Sequence, residues 1–289
     1  MTFEITPDVE VRRDQEGIAR SLRHLQQPYT ETDAGLTAPT PRSLAGQYVR
    51  DVAGIYDIDP DWLVDLDQRL PRDPPTEPTD EGTRLRFAEE RGVMETTTVT
   101  YQQTHLGLPV WEAELSVRMH DDDLRTTSSQ SSVHYDIRVV TPDEEKPEVI
   151  GAFERADDTA DAVDADRLED LLGPSEEGAV ETERGPEITR RRSLVYRYDS
   201  ERRFDPESER GQREGNSDHE GPPTLPLPPV PDEIEDGAHY VVTEVLFSFP
   251  LEGWGDLNWR AFVEPRTGDV LYLRAFVAAA TGRVFPVDY

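Results

Sequence analysis

A chain of 289 residues with 61 acidic and 30 basic side chains, net charge −31, lacks the basic field that phosphate or an anionic membrane surface would require. It has no cysteine, which excludes disulfides, thiolate metal sites and cysteine nucleophiles. Hydrophobic residues make up 35% and the mean hydropathy is −0.70, so much of the chain must be surface, loop or tail, and the length suits two modest domains or one with long loops.

In chain order, residues 1–70 read as a helical N-terminal segment. Ile18, Leu22 and Leu25 recur at helical spacing. Thr40-Pro41 is an N-cap and first-turn pair, followed by Leu44, Tyr48, Val52 and Ile55 on one face. Asp59-Pro60 opens a second short helix carrying Trp62, Leu63, Leu66 and Leu70. Residues 71–83 read as a linker whose proline and acid exclude a packed element.

Residues 84–150 read as an antiparallel sheet, with strands at Leu85–Glu90, Val93–Gln103, Val110–Met119, Leu124–Ser129 and Val133–Val140. In the third of these, Trp111, Ala113, Leu115, Val117 and Met119 alternate with Glu112, Glu114, Ser116 and Arg118. A period of two predicts one buried and one wet face. Residues 151–289 read as a second module. A helix is expected over 157–172, with an acidic N-terminus and the stripe Ala160, Val163, Arg167, Leu168 and Leu171. Strands follow at Ser193–Asp199, His239–Phe249, Leu257–Glu264 and Val270–Val277, with Gly282–Phe285 as a further edge. Residues 200–237 are rich in Pro, Gly and acid and read as a long mobile insertion, with TLPLPPVP as an extended segment.

The stretch Tyr101–Asp123, YQQTHLGLPVWEAELSVRMHDDD, resembles the FTP (fungalysin/thermolysin propeptide) motif of zinc-metallopeptidase proregions through its YQQ and GLPV segments. The stretch 258–273, NWRAFVEPRTGDVLYL, resembles the C-terminal hairpin of a PepSY domain, and the two occur in the order those proregions use. The resemblance implies an α+β fold, in which the N-terminal helical segment precedes an FTP-like sheet and then a PepSY-like helix on a curled sheet. It also implies a protein partner, and export to the cell exterior. The N-terminus has no apolar run of the kind a signal peptide needs, and Arg12-Arg13 is followed by Asp-Gln-Glu, so neither export signal is expected within this sequence. No segment approaches the apolar length of a membrane-spanning helix.

Peptidases of those families hold zinc on an H-E-x-x-H helix. None of the six histidines here has that spacing, and His219-Glu220 runs into Gly-Pro-Pro, which no helix accommodates. No metal, cofactor or catalytic residue is therefore expected, and the chain reads as a proregion without its enzyme. The acidity is spread along the whole chain and Lys146 is the only lysine, which reads as adaptation to concentrated salt. A specific cationic or basic partner is the competing explanation.

The residues expected to meet a partner are Thr104, His105 and Leu106 in the turn, Glu112 and Glu114 on the wet strand face, and Trp254 in a Gly-Trp-Gly loop. Each has a plainer reading, as a solvated turn or an exposed strand face. His120 with Asp121–Asp123 lacks calcium-loop spacing and reads as a charged turn. Trp111 and Trp259 fall on apolar faces and read as core. Two functions remain: a binding protein that inhibits or chaperones a thermolysin/fungalysin-type metallopeptidase in cis or in trans, or an assembly subunit that uses the same scaffold for contacts between proteins.

Overall fold

The computed structural model describes residues 8–25, 29, 39–72, 75, 77–140, 187–203, 227, 229–251 and 255–276. The fold is α+β, and the chain divides into two compact units, Met1–Ile137 and Arg138–Tyr289. No helix among the described residues is long and apolar enough to cross a membrane.

The first unit opens on β1 (Val9–Arg13) and β2 (Ala19–His24), which form an antiparallel hairpin where the spacing of Ile18, Leu22 and Leu25 predicted a helix. The reason is local. The Asp14 carboxylate accepts from the backbone N–H of Glu16 and Ile18, at 3.0 and 2.9 Å, and from Arg20 Nε at 2.7 Å. Gly17 supplies the left-handed φ of +83° that closes the turn. Leu22 is fully buried, whereas Leu25, which a helix would have placed on the same face, is 54% exposed.

Helix α1 (Pro41–Val52) starts as the sequence predicts. Thr40 Oγ1 accepts from Ser43 N, Ser43 returns the bond, and Pro41 sits in the first turn. Tyr48, Val49 and Val52 are fully buried. The second expected helix is a single 3-10 turn, Pro60–Leu63, capped by Asp59.

Four strands follow: β3 (Arg84–Val93), β4 (Thr96–His105), β5 (Leu108–His120) and β6 (Thr126–Ser131). The sheet of this unit is antiparallel in the order β1-β2-β6-β5-β4-β3. One face packs on α1 and the turns after it, with Leu22, Tyr48, Val52, Tyr56, Leu66, Leu85, Val99, Tyr101, Leu115 and Val117 all fully buried in a common core. At about 1.5–3 kcal/mol per buried large apolar side chain, this layer dominates the stability of the unit.

Residues 133–140, expected as a strand, are irregular. Asp136 has φ +50°, and the backbone of His134 bonds to the Gln103 side chain and not to a neighbouring strand. The linker also departs from expectation. Thr79 N donates to Leu106 O and Leu106 N donates to Glu81 O, both at 2.8 Å, so the 77–83 stretch is laid against the β4–β5 turn.

The second unit contains β7 (Glu187–Arg197), β8 (His239–Leu251), β9 (Gly255–Val263) and β10 (Val270–Phe276), each antiparallel to the next. Val245, Phe247, Trp259, Ala261, Val263, Val270, Leu273 and Ala275 form its core, with Trp259 buried as its apolar position predicted. The Thr-Gly turn between β9 and β10 is tied by buried Glu264, whose Oε2 accepts from Arg266 N at 2.9 Å and Thr267 N at 2.6 Å. The expected helix at 157–172, the extended TLPLPPVP core, most of the 200–237 insertion and the edge at 282–285 lie outside the described residues.

Candidate interaction surface

The YQQ segment proves to be a device for building the sheet. Tyr101 is fully buried, and its hydroxyl donates to Arg42 O at 3.3 Å, anchoring the first turn of α1. Gln102 faces a bulge in β5, where the register slips between the Gln102–Glu114 pair and the Thr104–Pro109 pair. Its Nε2 donates to Val110 O at 2.7 Å and to Ala113 O at 2.8 Å, satisfying carbonyls that the bulge removes from the ladder. Gln103 is fully buried. Its Nε2 donates to His134 O and its Oε1 accepts from His134 N, both at 2.8 Å, as a neighbouring strand would. Two adjacent glutamines thus replace backbone bonds, and the tyrosine before them ties the sheet to α1, a pattern that sequence periodicity does not reveal.

The bulge also sets where the expected contact residues stand. Thr104 is fully buried and offers nothing to a partner. His105 is half-buried with Nδ1 2.9 Å from Thr83 Oγ1, and burial lowers its pKa. Leu106 is half-buried, at φ +55°, under the backbone bonds to Thr79 and Glu81. A Cβ on Gly107 would come within 2.7 Å of Thr79 Oγ1, so the chain's own linker lies close against the turn. Of the three turn residues expected to meet a partner, Thr104 is buried, and His105 and Leu106 keep part of their surface beside the 77–83 stretch. Glu112, at φ +55°, and Glu114 are exposed as expected. Burial, then the charges of Glu89 and Glu112, raise the Glu114 pKa. Trp111, read as core, is only half-buried because it stands at the bulge. Trp254 lies outside the described residues.

What remains open is the outer face of the sheet. Register places Ser21, Gln130, Ser116, Thr100 and Glu89 in one row across β2, β6, β5, β4 and β3, with Arg12 beyond them on β1. The next row holds Arg23, Ser128, Arg118, Thr98 and Arg91. The side chains are hydroxyls, an amide, guanidinium groups and the Glu89 carboxylate; Gln130, Arg118, Arg91, Arg23 and Glu89 are exposed, while Thr100 is buried. No group of histidine, aspartate and glutamate suited to a metal occurs among the described residues.

No family profile matches this chain, and no curated protein matches it. Among solved structures it is similar to the Bacillus megaterium YpeB C-terminal domain, at 7% identity and a TM-score of 0.31, over 93% of this chain and 76% of that one.

Two other features of the described residues stood outside the sequence reading. A groove of about 1110 Å³ lies between the β1–β2 turn and the turns after α1, with Ile18, Ile55, Ile58 and Leu63 in its lining and Arg13 and Asp51 among its polar groups. Behind it, Ser129 links two core tyrosines, with Oγ 3.2 Å from the Tyr48 hydroxyl and 2.6 Å from that of Tyr56. Burial pushes the Tyr48 pKa up to about 12, so the network stays uncharged. In the second unit, buried Glu244 pairs with Arg192 and, at 2.9 Å, with Arg260, tying β7, β8 and β9 together. Two guanidinium groups compensate the one buried carboxylate, and losing both would leave it an uncompensated buried charge, so the cluster holds structure.

Proposed function

We propose that this chain is a non-catalytic protein-binding module that engages its partner through the outer face of the first unit's sheet. The observation that carries the reading is that this face is polar and presents exposed side chains, while Thr104 in the turn beside it is buried and residues 77–83 bond to that turn. Taken with the FTP-like and PepSY-like segments, the partner of choice is a thermolysin/fungalysin-type metallopeptidase, inhibited or chaperoned in cis or in trans. A face of hydroxyl, amide, guanidinium and carboxylate groups suits such a role, because it offers many hydrogen bonds and charges that a complementary partner can pair.

An assembly role is the second reading, and one observation favours it. The outer edge of β3 is covered by residues 68–70 only near Phe87. Beyond that point β4 is the only strand it pairs with among the described residues, and Val93 at its end and Met94 in the turn that follows are 48% and 97% exposed. An open edge beside exposed apolar side chains is a template for pairing with another chain.

The test is inhibition of a purified thermolysin-type peptidase at high salt by the wild type and by the Glu112→Arg, Glu114→Arg double variant. Inhibition by the wild type and its loss in an equally stable double variant supports the first reading. No inhibition, together with self-association that a charged residue at Met94 abolishes, replaces it with the second.

A further inference from the structure

Arg23, Arg118 and Arg91 stand in one row of the open face, separated in register by Ser128 and Thr98. All three are exposed, and none forms an ion pair with a described carboxylate. In a chain of net charge −31 a neighbouring acid would ordinarily neutralise such a residue. The same face also carries acids: Glu112 and Glu114 are exposed on β5, and the charges of Glu89 and Glu112 act on Glu114. Glu10 lies opposite Arg23 but is engaged by Arg12 at 3.1 Å. Glu89 is two residues from Arg91, and His120 two residues from Arg118.

The spacing is regular. Strands in a sheet lie about 4.7–4.9 Å apart, so arginines on alternate strands stand roughly 9.6 Å apart. A polyproline-II segment repeats every three residues with a rise of about 3.1 Å, so side chains at i, i+3 and i+6 share a face at roughly 9.3 Å. Its backbone makes no internal hydrogen bonds, leaving carbonyls for the intervening Ser128 and Thr98 hydroxyls.

We propose that this row is a recognition surface for an acidic polypeptide segment in the polyproline-II conformation, with a carboxylate at every third residue. The proposal rests on the reading of this face as the contact surface and names the chemistry that it selects. Planar guanidinium groups bind carboxylates through two parallel hydrogen bonds, which lysine does not offer. Nucleic acid is disfavoured, because neither row presents an aromatic side chain for base stacking. Repulsion from the rest of the chain has little reach in concentrated salt, where the Debye length falls to about 3 Å at 1 M.

The test measures binding of a fluorescein-labelled peptide of Glu-Pro-Pro repeats by anisotropy. It is run at the lowest salt at which circular dichroism reports the folded chain. Controls are Gln-Pro-Pro repeats, and Glu-Pro-Pro-Pro repeats with the same number of glutamates, whose carboxylates fall off one face. The expected result is preference for the three-residue repeat, with Arg23→Gln, Arg91→Gln and Arg118→Gln each weakening it by roughly 1.5- to 5-fold, the range of an exposed ion pair. Their thermal midpoints should match the wild type. Equal binding of both glutamate repeats, or no loss in the three variants, overturns the proposal. Tighter binding of single-stranded DNA or a sulfated polysaccharide with the same arginine dependence also overturns it, by making the row a general polyanion site. Peptidase inhibition lost in the arginine variants without peptide binding would sink the peptide chemistry alone and leave the contact face standing.

Discussion

Replacing Gln103 by leucine tests whether one side chain stands in for a strand. The variant keeps the volume and removes both 2.8 Å bonds to the His134 backbone. Each neutral hydrogen bond is worth about 1 kcal/mol net, and a buried backbone group left without a partner costs about 1–3 kcal/mol. His134 is half-buried, so water recovers part of this, and the expected loss is about 2–4 kcal/mol. For a unit of this size that is a fall of roughly 6–15 °C in thermal midpoint. Hydrogen exchange read by mass spectrometry on a peptide covering residues 130–137 gives a local measure, and urea unfolding at constant salt a global one. Gln103→Glu separates packing from bonding. Its carboxylate accepts from His134 N but repels His134 O, so the variant should be destabilised at neutral pH. It should recover towards the wild type in acid, where the protonated carboxyl donates again. A Gln103→Leu variant within about 0.5 kcal/mol of the wild type, the range of ordinary surface changes, would refute the reasoning.

Three further outcomes are expected. Gly107→Ala forces a Cβ at φ +75° to within 2.7 Å of Thr79 Oγ1, so it should cost about 1–3 kcal/mol and speed hydrogen exchange across residues 77–83. Glu264 has its pKa raised by burial, so its proton is held more tightly in the folded state. Its stabilising contribution is full below the ordinary glutamate range and is lost as pH rises through the raised value, so the stability of Glu264→Gln relative to wild type should increase across that window in pH-dependent urea titrations. With a net charge of −31, the thermal midpoint should rise between about 0.1 M and 2 M salt, and a flat profile would remove the salt-adaptation reading.

Most strands were legible because a sheet with one buried face writes its period into the chain: Leu115, Val117 and Met119 are buried while Glu114 and Arg118 are exposed, as alternation predicts. The start of α1 was legible because its cap is local to Thr40, Pro41 and Ser43. The first hairpin was not, since Ile18, Leu22 and Leu25 fit a helical stripe. Only pairing of β2 with β6 leaves Leu22 in the core and Leu25 outside it. The candidate site divides in the same way. Sequence alone determined that Glu114 would stand on a wet face, because strand geometry settles the facing of neighbours, whereas Glu112 is exposed at the bulge with φ +55°. Tertiary structure alone decided that Thr104 is buried and the turn partly covered, because residues 77–83 return from a distance to bond there. It alone brought Arg23, Arg91 and Arg118 into line, since strand register joins positions that no local period relates.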